Sequence, residues 1–315
     1  MPGTIAHSVG VDIAKDTLEG HLHPAGKVSR FANDAKGCAA LIAWLKGFEV
    51  VRVAFEPTGA YHQAFERRLA EAGLPLVKVN PRQARRFAEA IGRHAKTDAV
   101  DAAMLARFAA LLEPPVRPVV SATLDAMKEL HVARRALVKD RVAARNRDHR
   151  HRSALLKRHA RERLRQIDRQ LAAIDAALHA ELAADPALQV RFAILVSIPG
   201  VGAATAFAML IEMPELGALE HKGAASLAGL APIARDSGQR RGKRSIRGGR
   251  AHLRQALYMP ALVAVRFNAA MKAKYDALRA AGKPPKVALT AIMRKLIILA
   301  NALIRDGRIW SPLPA

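Results

Sequence analysis

The sequence predicts three consecutive parts: an α/β domain over residues 1–118, a basic helical coiled-coil connector over 119–188, and a mainly α domain over 189–315. Three observations carry this division. Strand and helix signals alternate through the first third of the chain, the pattern of an α/β domain. Residues 121–183 contain neither proline nor glycine and hold a long helical period. Beyond residue 190, apolar helical runs are separated by glycine-rich turns. A chain of 315 residues is longer than one core usually serves, so several parts are expected.

Taken in order, Ile5 to Ile13 reads as a strand and Thr17 to His23 as its partner. Cys38 to Lys46 is helical, Val50 to Phe55 is a strand, and Tyr61 to Ala72 is a helix. Leu74 to Val79 is a short buried strand closed by Asn80-Pro81, and Pro81 suits the first turn of a helix over Arg82 to Ile91. Asp98 to Leu112 is a further helix, stopped by Pro114-Pro115. In the middle part, Leu124, Met127, Leu130, Val138, Val142, Leu155, Leu156, Leu164, Ile167, Leu171, Ile174 and Leu178 recur at helical steps. The other faces carry Arg134, Arg135, Arg141, Arg145, Arg147, Arg150, Arg152 and Arg158, so a long helical hairpin or coiled coil with a basic face is expected. The last part opens on Leu195-Val196-Ser197-Ile198-Pro199-Gly200-Val201-Gly202, an apolar helix, a tight turn and a second apolar helix from Ala203. This is a helix-hairpin-helix pattern, in which Gly200 and Gly202 permit the turn and expose backbone N–H groups to a phosphate.

Charge narrows the partners. Fifty-one Lys and Arg against 27 Asp and Glu give a net charge of +24 and a pI near 11.1, so a polyanion is the expected ligand. Aromatics are only 4% of the chain, which argues for phosphate contact by arginine over base stacking. The single cysteine, Cys38, excludes an internal disulfide and a cysteine-cluster zinc site, and the twelve histidines show no ligand spacing. No membrane-spanning run and no signal-peptide pattern is expected, which predicts a cytoplasmic, nucleoid-associated protein without a membrane partner.

Against this basic background four acids stand out. Asp12 ends the apolar strand Ser8-Val9-Gly10-Val11-Asp12, and Glu56 ends Val53-Ala54-Phe55-Glu56. Asp98 and Asp101 open a helix, and their spacing of three places them on one face. Four carboxylates at strand ends and on one helix face are what a Mg²⁺ site, with Mn²⁺ as its substitute, requires. A second informative stretch is Arg235-Asp236-Ser237-Gly238-Gln239-Arg240-Arg241-Gly242-Lys243-Arg244-Ser245-Ile246-Arg247-Gly248-Gly249-Arg250. Its glycines allow close backbone approach, and Arg240, Arg241, Lys243, Arg244, Arg247 and Arg250 suit phosphate. Composition leaves open whether Ser237 or Ser245 is a passive phosphate donor or a nucleophile. It favours the passive role, because no neighbouring general base is evident.

In the order Gly10-Val11-Asp12-Ile13-Ala14-Lys15, Glu56-Pro57-Thr58-Gly59-Ala60-Tyr61, Lys96-Thr97-Asp98-Ala99-Val100-Asp101, Ile198-Pro199-Gly200-Val201-Gly202, Ala228-Gly229-Leu230-Ala231-Pro232, Ser237-Gly238 and Gly248-Gly249-Arg250-Ala251-His252-Leu253, the chain resembles the IS110/IS1111 family of transposases, the DEDD recombinases. The resemblance covers nearly the whole length. It implies a RuvC-like, ribonuclease H-type N-terminal domain whose tetrad is Asp12, Glu56, Asp98 and Asp101. It also implies a C-terminal transposase domain whose serine nucleophile is Ser237, with Ser245 as the fallback. Donor and target DNA would be the substrates, recognised through an RNA encoded by the element and held in part by the basic connector. The acids of one protomer would meet the serine of another in a homo-oligomer, a dimer pairing into a tetramer. The alternatives are a RuvC-like, metal-dependent, structure-selective nuclease that cuts by water without a covalent intermediate, and a non-catalytic nucleic-acid-binding protein. A small-molecule enzyme is disfavoured by the charge and by the lack of a nucleotide fingerprint.

Overall fold

A computed structural model describes residues 6–57, 59, 61–92, 98–116, 121–234, 236–238, 242 and 244–312, of which 98–100 are described by backbone only. The chain divides into two compact units, Met1–Val119 and Val120–Ala315.

The first unit holds strands β1 (Ala6–Ile13), β2 (Thr17–His23), β3 (Val28–Ala32), β4 (Glu49–Phe55) and β5 (Leu76–Lys78), with helices α1 (Ala35–Leu45), α2 (His62–Glu71), α3 (Pro81–Ala90) and α4 (Asp98–Leu112). The sheet order is β3-β2-β1-β4-β5. The first three strands form an antiparallel meander, and β4 and β5 join β1 in parallel. The two faces are filled differently. Val9, Val11, Ile13, Val53 and Phe55 pack with Leu41 and Leu45 of α1 and with Phe65 and Leu69 of α2. Ala54 and Val77 pack with Ala84 of α3 and with Met104, Leu105 and Phe108 of α4. Two-sided cover explains why β1 and β4 read as near-continuous apolar runs.

Gly10 fixes the approach of α4. A side chain there would collide with the backbone of Ala102 and Ala106 and reach 2.9 Å from Leu105 Cβ. Only glycine lets the helix lie directly on the strand. Gly10→Val is expected to destabilise this unit by about 3 kcal/mol or more, measured as a lowered urea midpoint or loss of a cooperative transition.

The second unit begins with two long helices, α5 (Ala122–Asp148) and α6 (Ala154–Ala183), joined by residues 149–153. Ser121 caps α5 by accepting from Leu124 N. Their antiparallel register is set by Arg134–Asp175 and Arg141–Asp168 across the seam, over a small core of Ala144, Ile167 and Leu171. The helices that follow are α7 (Pro186–Ser197), α8 (Ala203–Glu212), α9 (His221–Leu227), α10 (Ala251–Ala256), α11 (Tyr258–Phe267), α12 (Ala269–Ala280) and α13 (Pro285–Arg305). A two-stranded ladder, β6 (Pro232–Ile233) with β7 (Ser245–Ile246), stands between α9 and α10. Leu124 and Met127 of α5 and Leu178 and Leu182 of α6 join the core of these helices. The two long helices are therefore rooted in the same unit as the C-terminal bundle.

The sequence expectation of no membrane-length apolar run does not hold for the last helix. Pro285–Arg305 is long and apolar enough, by length and composition, to cross a membrane. Half of that window is buried, with Leu289, Ile292, Leu296, Ile297 and Leu303 in the core, and α13 packs on α7, α9, α11 and α12. Its hydrophobicity is that of a core helix covered on several sides. Asn301 within it is fully buried yet satisfied, accepting from Gly217 N at 2.8 Å and donating to Leu219 O at 2.7 Å.

His131 of α5 is buried with Nδ1 lacking a partner among the described residues. Burial, together with Arg135, Arg134 and His252, lowers its pKa to about 4. A base whose folded pKa lies below its unfolded value near 6.5 binds fewer protons when folded. Stability is therefore full above pH 6.5 and falls as pH drops toward 4, by an amount on the order of 3 kcal/mol. His131→Leu is expected to flatten that loss, measured by urea unfolding at pH 5 and pH 7.5.

Candidate functional site

The acids of the first unit are placed by the sheet. Asp12 is the penultimate residue of β1 and Glu56 follows the last residue of β4. The two strands are parallel neighbours with Val11 opposite Phe55, so both acids leave the sheet at the same edge. Alternation puts Asp12 on the face of Gly10, and carries the face of Ala54 to Glu56. That is the face covered by α4. Asp101 lies on the same helix, immediately before Ala102 and one turn before Leu105, the residues pressed on Gly10. Asp12, Glu56 and Asp101 are each half-buried. Asp98 opens α4, and its side chain falls outside the described residues. Among the described residues no group of three His, Cys, Asp or Glu side chains is close enough to share a metal ion.

One residue that sequence reasoning missed ties this edge together. Asn33 Nδ2 donates to Ala14 O at 2.8 Å and to Tyr61 O at 3.2 Å. It thereby links the segment after Asp12 to the segment after Glu56. In the sequence Asn33-Asp34 signals only a helix start, and Asp34 does cap α1 through Gly37 N at 2.8 Å.

The serine segment of the second unit is a two-stranded arm. Pro232 pairs with Ile246 and Ile233 with Ser245. Beyond the ladder, Asp236 Oδ1 accepts from Gly242 N at 3.1 Å, and Ser237 sits exposed between Asp236 and Gly238. Ser245 is exposed within the ladder itself. Arg240, Arg241 and Lys243 lie outside the described residues. Arg244 and Arg247 are exposed on the returning strand, without an acidic partner among the described residues.

The remaining basic candidates fall into two groups. Arg145 is exposed near the end of α5 and meets no acid among the described residues. Arg134, Arg135, Arg141 and Arg250 are engaged within the fold. Arg134 binds Asp175, and Arg141 binds Asp168 at 3.3 Å. Arg135 binds Glu212 at 3.3 Å and touches His252 Nδ1 at 2.6 Å, joining α5 to α8 and α10. Arg250 grips Glu215 with two hydrogen bonds of 2.7 and 2.6 Å. In the turn from α7 to α8, Gly200 has φ +94° and a side chain there would reach 2.8 Å from Pro260 O of α11, whereas a side chain at Gly202, at the start of α8, would meet nothing within 4 Å.

Residues 9–158 match the DEDD model for IS110 transposases, and residues 192–276 match the model for transposases of the IS116/IS110/IS902 family. The chain belongs to the IS110 family of transposases. The first match spans all four acids and the second spans Ser237, so this transposase is a DNA-modifying enzyme in which both candidate sites lie inside family sequence. It is similar to the pilin gene-inverting proteins of Moraxella lacunata and Moraxella bovis, at 29% and 28% identity over 95% of this chain and 96% of theirs. It is also 34% identical to an insertion element IS110 protein of Streptomyces coelicolor, over 48% of this chain and 37% of that one. A DEDD transposase domain points to divalent metal use, in keeping with carboxylate oxygen donors.

Proposed function

We propose that this transposase cuts and rejoins DNA through Ser237, with Asp12, Glu56, Asp98 and Asp101 holding Mg²⁺ in a RuvC-like domain, and that it is guided by an RNA encoded by its own element. The observation that carries the reading is the placement of acids in a chain of net charge +24: Asp12 and Glu56 stand at the ends of neighbouring parallel strands, on the face covered by α4, the helix that bears Asp101. The donor set fits the ion. Mg²⁺ is commonly held by one or two carboxylates, with water and substrate phosphate completing its shell, so a closed protein cage is not required. When bound, the ion neutralises the scissile phosphate and stabilises the leaving oxygen.

Ser237 Oγ gives up its proton and forms an O–P bond while the strand's own P–O bond breaks, and the departing oxygen takes up a proton. Attack by the hydroxyl of another strand end reverses these changes and releases the serine. The number of phosphodiester bonds is conserved. Near full-length similarity to proteins named for inverting a gene supports rejoining over cutting alone, since an inversion leaves no free ends.

By resemblance to the family, the acids of one protomer meet the serine of another in a homo-oligomer, a dimer pairing into a tetramer. Exposed Arg145, Arg147, Arg150, Arg152 and Arg158 at the far end of the two long helices supply phosphate contacts, joined by Arg240, Arg241, Lys243, Arg244 and Arg247 on the serine arm and by the open α8 start at Gly202. The test is recombination between donor and target plasmids with and without the element's flanking non-coding RNA, trapping and mapping any protein–DNA adduct. An adduct at Ser237 that requires RNA and Mg²⁺ is the expected result. Cleavage without an adduct would make the protein a metal-dependent nuclease.

A further inference from the structure

The geometry points to Arg254 as a positioning residue for strand exchange, the centre of a clamp that closes the base of the serine arm and fixes the direction in which Ser237 is presented. The inference rests on Ser237 being the nucleophile.

The arm leaves the bundle after Gly229 and returns at Gly249. The two backbones touch there. A side chain at Gly249 would collide with the N and Cα atoms of Gly229 and reach 2.7 Å from Leu227 O. A side chain at Gly229 would collide with Gly248 O and with the guanidinium of Arg254. Both glycines have positive φ, +69° and +63°. The pinch thus demands glycine twice, for conformation and for space.

Arg254 closes it. Nη1 donates to Gly248 O at 2.8 Å, on the returning end of the arm, and lies 3.5 Å from Gly229 O on the departing end. Arg250, one residue past the pinch, donates its backbone N–H to Leu227 O at 2.9 Å and grips Glu215 with its side chain. Above the pinch come the β6–β7 ladder and then the Asp236–Gly242 tie. Four successive cross-links therefore separate Ser237 from the bundle: the Gly229–Gly249 contact, the Arg254 bridge, the ladder and the Asp236 bond. An exposed segment with so little core of its own takes its orientation from such ties. Strand exchange depends on that orientation, because a nucleophile displaced by about 1 Å loses on the order of 10²-fold in rate. DNA binding depends on it far less, since it is spread over many phosphate contacts.

The test compares full-length wild type, Arg254→Ala, Arg254→Lys and Ser237→Ala in DNA affinity, strand-exchange rate at saturating DNA, and hydrogen exchange of the amides at 230–234 and 244–249. Arg254→Ala is expected to speed exchange of those amides and to slow strand exchange by about 10- to 10²-fold, with affinity changed by less than about 3-fold. Arg254→Lys, which keeps one donor to Gly248 O, is expected to recover most of the rate. Glu215→Gln, which keeps its shape and weakens the outer grip, is expected to give a smaller loss in the same direction, and it replaces Arg254→Ala should that variant fail to fold. A strand-exchange rate unchanged in Arg254→Ala, alongside loss of the adduct in Ser237→Ala, overturns the clamp alone. An adduct retained in Ser237→Ala overturns the nucleophile assignment and the clamp's role with it.

Discussion

Ser237→Ala is expected to abolish strand exchange and the covalent protein–DNA adduct, a loss of about 10⁴-fold or more, while DNA binding and the melting temperature stay unchanged. The side chain is exposed beside the Asp236–Gly242 tie, and that tie is made by Asp236 Oδ1 and a backbone N–H, so no bond among the described residues of the arm depends on the hydroxyl. Removal of one exposed oxygen changes stability by no more than about 0.5 kcal/mol. Any loss of activity therefore reports chemistry. Ser245→Ala is the control: Ser245 enters the ladder through its backbone opposite Ile233, and its side chain is also exposed. That variant should exchange strands at the wild-type rate. The measurement is a denaturant-resistant adduct on a labelled DNA end, with the modified residue mapped by mass spectrometry. An adduct in Ser237→Ala that disappears in Ser245→Ala would move the nucleophile to the ladder.

How much of this was legible in the sequence differs between the two sites. Asp12 and Glu56 are legible because an acid closing an apolar strand contradicts the strand's own pattern, and Asp98 with Asp101 because α4 begins and ends where the periodicity and Pro114-Pro115 predict. Strand β3 is missed: its exposed, alternating Val28–Ala32 has neither an apolar run nor a long period, and only pairing with β2 makes it a strand. The segment after Arg250, which reads in the sequence as one helix from Leu253 to Val265, forms two, α10 and α11, divided at Leu257. For Arg134, Arg135 and Arg250 the sequence shows the charge and not its neighbour. The partners Asp175, Glu212 and Glu215 stand 41, 77 and 35 residues away from Arg134, Arg135 and Arg250. Local composition records a basic face, and only the tertiary fold records which of its charges are already neutralised. The same holds for Gly249, whose neighbour Gly229 is brought to it by the arm's closure and by no local signal.

Asp12→Asn carries the other large expected effect: strand exchange falls by on the order of 10²–10³-fold or more, at every Mg²⁺ concentration, with DNA affinity equal or tighter. Asparagine preserves the shape of a half-buried side chain at the end of β1, so the sheet and its contact with α4 should hold. What is lost is one negative charge at an edge where Glu56 and Asp101 supply two more on the same face. A cation bound by the folded protein raises its stability by mass action, about 1.4 kcal/mol at ten times the dissociation constant. Wild type should therefore melt higher as Mg²⁺ or Mn²⁺ is added, and Asp12→Asn and Asp101→Asn should not. The two readouts separate the possible roles of the acid. A variant that loses both the melting shift and strand exchange has lost the ion. One that keeps the shift but loses exchange has lost a group acting on the substrate directly. Retention of wild-type strand exchange in Asp12→Asn would remove the acids from the chemistry and leave Ser237 without the partner this reading gives it.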